Sequence, residues 1–177
     1  MTAGAAHPDP SPGRLSTLRL LRHEFVTPEA IYGTVLITVI IEVQEDENTA
    51  WAGLIIAALT AFVFWLAHVF AHTVARHGVK RGREIPIATA IREAIYHSTG
   101  FLTGPLVPLL LLALAPLGVL DDESAYTAAE LSSLVILFLL GALALAERGR
   151  RWWACLLGGL LTSGVGVLVI ILELILH

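Results

Sequence analysis

Cysteine is almost missing from this chain, and with it one class of stabilisation. Cys155 is the single cysteine in 177 residues, so no intrachain disulfide forms and cysteine usage says nothing about redox compartment. Lysine is as scarce: of eleven basic residues only Lys80 is a lysine. Charged residues of both signs reach only 15%, well below the ordinary globular share of roughly 25%. Catalytic signatures are missing too. No Gly-rich phosphate loop opens a helix, and Cys-x-x-Cys, His-Glu-x-x-His and Gly-x-Ser-x-Gly do not occur. Ser, His and Asp never fall in a nucleophile setting, so an enzyme has no motif in its favour. The opening stretch "MTAGAAHPDPSPGR" has no basic segment followed by an apolar one, and does not read as a cleaved signal peptide.

What the chain has in quantity is apolar surface. Hydrophobic residues make up 56% of it and the mean hydropathy is +0.77, the balance of an all-α integral membrane protein. A hydrocarbon core of about 30 Å needs roughly 20 helical residues. Five segments meet or approach that length: residues 27–43, 51–75, 99–120, 126–146 and 152–176. The stretch 85–120 is too long for one span and is interrupted by Gly100, Gly104, Pro105 and Pro108. It divides into a short amphipathic lead helix over 86–98 and the third span. Residues 1–26 form a polar cytoplasmic tail that ends in an interfacial helix, with Leu15, Leu18, Leu21 and Phe25 on one side and Arg14, Arg19 and Arg22 near headgroup phosphates. Residues 27–177 then make a single transmembrane helical domain. Thr27, Pro28 and Glu29 carry the start signals of its first helix.

The charges sort by side. Every base falls before span one, between spans two and three (Arg76, Lys80, Arg81, Arg83, Arg92), or between spans four and five (Arg148, Arg150, Arg151). The alternate connections, "QEDENTA" and "DDESAY", hold acids and no base. The positive-inside rule then predicts a multi-pass protein of the cell membrane with its N-terminus in the cytoplasm and its C-terminus outside. Trp51, Tyr126, Trp152 and Trp153 fall where an aromatic belt is expected. The basic loop "RHGVKRGR" reads as a partner for anionic lipid headgroups rather than for nucleic acid.

Within "FVFWLAHVFAHTVARH", His68 and His72 stand one turn apart on the second span, with Arg76 a turn further on. The lead helix carries Glu93 and His97 at the same spacing, with Thr89 and Tyr96 on the same polar arc, and Glu29 and Tyr32 of span one lie at matching depth. Imidazole and carboxylate pairs at one-turn spacing are the donor set of a divalent transition metal site, here His68, His72, Glu93 and His97. The same residues suit a proton relay, since His titrates near neutral pH. They also suit interfacial hydrogen bonding with no transport role. Glu42, Glu130 and Glu173 approach the opposite side and form a candidate cation vestibule, or merely solvated acids near helix ends. On the last span Ala154, Gly158, Thr162 and Gly166 repeat every four residues, a stripe that fits close packing within one protomer or a homo-oligomer seam.

Two resemblances bear on the first 80 residues. "PEAIYGTVLITVIIEV" followed by "AFVFWLAHVFAHTV" resembles small multipass bacterial membrane proteins, and its layout is similar to the start of the prokaryotic relatives of the lysosomal potassium channel. The chain departs from that channel family: "AIYG" stands where the family has Phe-Ser-Asp, and five spans replace six, so no filter residue carries over. The functional expectation is a transporter or channel for a metal cation or protons using the His/Glu cluster. The alternative is a non-transporting scaffold or accessory subunit whose polar residues only fix helix packing.

Overall fold

The computed structural model describes residues 27–45, 49–80 and 83–176, so the interfacial helix expected before residue 27 lies outside the described residues. Among the described residues the elements are helices apart from one short hairpin. In order come α1 (Pro28–Glu45), α2 (Ala50–Arg76), β1 (Gly78–Lys80), β2 (Arg83–Ile85), α3 (Ile87–Thr103), α4 (Leu106–Leu112), α5 (Asp122–Glu147) and α6 (Trp152–Leu176). The strands pair antiparallel, Gly78 opposite Ile85 and Lys80 opposite Arg83. The sequence reading did not foresee this hairpin, which joins the end of α2 to α3.

Helices α2, α5 and α6 are long and apolar enough to cross a membrane, and the bent pair α3 and α4 brings the number to four at most. Among the described residues the expected five qualifying spans are not there. The shortfall is α1, whose eighteen residues include Glu29, Glu42 and Glu45. Physically the difference lies in where α1 sits. It packs against all four other long helices, α2, α3, α5 and α6, and buries Ala30, Gly33, Thr34, Ile37, Thr38 and Ile41. A helix surrounded by protein needs less hydropathy than one facing lipid.

The third span also differs from its expectation. The lead and the first part of the span are one continuous helix to Thr103, with no boundary at Ser98. The break comes at Gly104 and Pro105, where the axis turns by 46°. Pro105 has no N–H for the Phe101 carbonyl, and a missing ladder bond of this kind bends a helix. Gly33 of α1 lies against that carbonyl, and Gly104 lies against the Ala30 carbonyl and Thr34 hydroxyl. A side chain at either glycine would push the two backbones apart. Helix α4 stops at Leu112, and 113–120 are turns and bends rather than span. Pro116 cannot continue the ladder and Gly118 adopts φ 72°.

Polar contacts fix which ends lie together. The Asp122 carboxylate accepts from the Ala50 N–H at 3.2 Å, so the starts of α2 and α5 are neighbours. The Tyr126 hydroxyl lies 3.3 Å from the carbonyls of both Gln44 and Thr49, which brings in the end of α1. Arg76 at the end of α2 pairs with Glu93 near the start of α3. The bent pair therefore carries the chain from one end of the bundle to the other. Between these ends Ile37, Ile41, Ala50, Ala57, Ala61, Leu112, Ala125, Tyr126 and Ala129 make one buried cluster. Tyr126, expected in the aromatic belt, is a buried member of it, while Trp51, Trp152 and Trp153 are exposed.

Candidate functional site

The His-bearing end of the bundle is built by α1, α2 and α3. The one-turn spacing of His68 and His72 puts both rings on the side of α2 that meets α3, with centroids 5.8 Å apart. His97 of α3 stacks on His72 at 6.3 Å with the planes 16° apart. At the other end of the row His68 lies 5.9 Å from the Tyr32 ring of α1 and 5.5 Å from Phe101 of α3. Tyr96 meets His97 edge-on at 6.2 Å. Three of the four residues expected to share a centre thus stand side by side, and they form a line rather than a shell.

Glu93 leaves that line. Its Oε2 sits 2.6 Å from Nη1 of Arg76, a charge-assisted bond one helical turn from His72 and His97 in sequence. Among the described residues no three His, Cys, Asp or Glu side chains group as they must to hold a metal ion. Ligating atoms of one zinc, each about 2.0–2.2 Å from the ion, cannot be much more than about 4 Å apart.

Two cavities flank the row. One, of about 240 Å³, is lined by Pro28, Glu29, Tyr32 and His68. The other, of about 320 Å³, is lined by Arg92, Glu93, Tyr96 and His97 on the exposed side of α3. Both open beside an imidazole, one near each end of the line.

Polar residues continue along the central helix. Thr34 and Thr38 are buried, and each hydroxyl donates to the carbonyl four residues back at 2.8 Å. Glu42 is one further turn along, and its Oε2 is buried with no hydrogen-bond partner. Glu130 on α5 buries a carboxylate oxygen as well, and α5 packs on α1. Glu173 lies on α6, with its side chain outside the described residues. Ser98 on α3 is fully buried and its Oγ has no partner.

The small-residue stripe of α6 is seated within the chain. Thr162 and Gly158 meet Gly141 of α5, Gly158 also meets Leu145, and Gly166 meets Leu134 and Leu137. Sequence reasoning missed Phe101, one apolar residue in an apolar span, and also missed the Asp122 tie to Ala50. An acid placed immediately after the Asp121 cap was the available sign of the second. No protein-family model matches the chain, and no curated protein or solved structure is detectably similar to it.

Proposed function

We propose that this protein is a small multipass membrane transporter or channel that moves protons through the row His68, His72 and His97. One observation carries the reading: three imidazoles from two helices stand in line at centroid spacings of 5.8 and 6.3 Å. Hydrogen bonds of roughly 2.8 Å on either side of one water span that gap between ring nitrogens. Imidazole takes up and releases protons near neutral pH. The buried Thr34 and Thr38 and the half-buried Glu42 on α1, with Glu130, extend the polar path toward the acidic connections as a cation vestibule. Five crossings belong to this reading, because α1 runs the length of the bundle shielded by its neighbours. So do a cytoplasmic hairpin and an external C-terminus, by the distribution of bases. A divalent metal shared by His68, His72, Glu93 and His97 has less support, since Arg76 holds Glu93.

The test is proton flux into vesicles containing the purified protein, driven by a pH gradient and read with an internal dye. Wild type conducts and His72→Ala does not. Absence of flux in wild type defeats the reading.

A second reading, a scaffold or accessory subunit, is favoured by the wedging of His68 between Tyr32 and Phe101. There the rings only fasten α2 to α1 and α3. His68→Phe separates the two, because it keeps a ring in the wedge and removes the ring nitrogens. Retained stability with lost flux supports transport.

A further inference from the structure

Arg92 is a cation without an anion among the described residues. Among the described residues the single salt bridge joins Arg76 to Glu93, and Arg92, the next residue to that glutamate, has neither an ion pair nor a hydrogen bond. It lines the cavity of about 320 Å³ with Glu93, Tyr96 and His97. That volume falls within the roughly 300–1,000 Å³ of small-molecule sites.

We propose that Arg92, at the rim of this cavity, holds the phosphodiester of an anionic phospholipid, with an acyl chain along Ile95. The charge is right. Arg76 neutralises the one carboxylate in the lining, which leaves the Arg92 guanidinium to offer its fork of donors to phosphate oxygens. The depth is right as well. Arg92 stands level with the last turn of α2, where a crossing helix leaves the hydrocarbon, and beside the hairpin whose sequence holds Lys80, Arg81 and Arg83. Anionic leaflets draw basic segments at this level. The apolar part is also there. Ile95 is 42% exposed, lies about one turn further from the hairpin than Arg92 and is its surface neighbour three residues away. Tyr96, 63% exposed, stands one turn from Arg92, with the amphipathic ring favoured at headgroup level. Arg92 and Ile95 thus adjoin on α3 in the order, ion and then acyl chain, in which a lipid presents them.

This site does not depend on proton movement through the imidazole row, and its test has its own readout. The full-length protein is placed in nanodiscs of mixed phosphatidylglycerol and phosphatidylcholine, and lipid retained through mild detergent exchange is quantified by mass spectrometry. Wild type retains phosphatidylglycerol over phosphatidylcholine. Arg92→Gln weakens that retention about tenfold or more, the scale of a charge-assisted bond, and Ile95→Asn weakens it as well. Arg150→Gln, an equal loss of basic charge in another connection, leaves it unchanged. Equal retention in wild type and Arg92→Gln overturns the proposal, and so does an equal loss in Arg150→Gln, which marks a diffuse field. Displacement of the lipid by inorganic phosphate at comparable concentration overturns it too, by assigning the site to a free anion.

Discussion

Arg76 and Glu93 meet at 2.6 Å between the last turn of α2 and the second turn of α3. The pair makes the hairpin end of the bundle a fixed junction, and it takes from the imidazole row the carboxylate that a metal site needs. Its own energetic weight is small. The two side chains are 32% and 46% exposed, and water and salt screen pairs of that kind to about 1 kcal/mol or less. A double-mutant cycle of Arg76→Gln and Glu93→Gln is expected to give a coupling below about 1 kcal/mol that shrinks in high salt. A coupling several times larger would show that the pair is shielded from solvent.

Tyr126 holds the opposite end. Its hydroxyl lies at 3.3 Å from the carbonyls of Gln44, at the end of α1, and Thr49, just before α2, inside an otherwise apolar cluster. Tyr126→Phe keeps the ring and leaves those carbonyls without this donor. The expected loss is about 1 kcal/mol, read as a lower thermal midpoint in detergent. An unchanged midpoint would show that the hydroxyl is not a staple.

Asp121 gives a pH dependence. Its carboxylate caps α5, accepting from the Ser124 N–H and hydroxyl, each at 2.8 Å. The Ser124 backbone bond and then its hydroxyl hold the carboxyl below its ordinary value of 3.8. A folded-state value below the unfolded one means that the ionised cap stabilises the fold above the unfolded value. That contribution disappears as pH falls through the folded value. Asp121→Ala is therefore expected to lower the thermal midpoint at pH 7 and to differ less from wild type as pH drops below about 4. A gap that stays constant with pH would remove the carboxylate from the explanation.

Glycines on α6 distinguish packing within the protomer from assembly. A side chain at Gly158 would meet Leu145 and the Gly141 carbonyl, whereas one at Gly164 meets open space. Gly158→Leu is expected to cost about 1–3 kcal/mol as the α5–α6 contact is forced apart, with Gly164→Leu near neutral. Thermal midpoints of the two variants, with oligomer size followed by light scattering, decide it. A change in oligomer size with the midpoint unchanged would return the stripe to a homo-oligomer seam.

Much of this was legible in the sequence, for reasons that particular residues show. Lipid imposes apolar runs about 20 residues long, so α2, α5 and α6 fall close to their expected bounds. One-turn spacing put His68 beside His72 on one helix and Glu93 beside His97 on another, and the structure stacks His97 on His72. Spacing along one helix carries no information about the third dimension. Glu93 was predicted to join the His residues, but Arg76 lies nearer to it. Tyr126 reads as a belt residue because it sits near a span boundary, and only the packing of α1 and α2 around it buries the ring. The bend at Pro105 was visible as an interruption, but its position between Thr103 and Leu106 depends on α1 packing against Phe101 and Gly104.

The membrane crossing of α1 is the sharpest remaining prediction. Its first turn lies at the His68 end and its last at the Tyr126 end, so it runs antiparallel to α2 through the full bundle. At 1.5 Å per residue the 18 residues of α1 rise about 27 Å, close to the roughly 30 Å of a hydrocarbon core, so α1 is expected to cross alongside the longer α2. The three acids of α1 do not prevent this, because Glu29 and Glu45 fall at its two ends and Glu42 is within one turn of the second. Long crossings tolerate acids near their termini far better than at their centres. A reporter active only in the cytoplasm, fused before Met1, is therefore expected to match one inserted in the hairpin at Lys80, and one after His177 is expected to be silent. If α1 lay outside the bilayer, the fusion before Met1 would be silent while the hairpin reporter stayed active. That pattern would reduce the crossings to four and detach α1 from any path across the membrane.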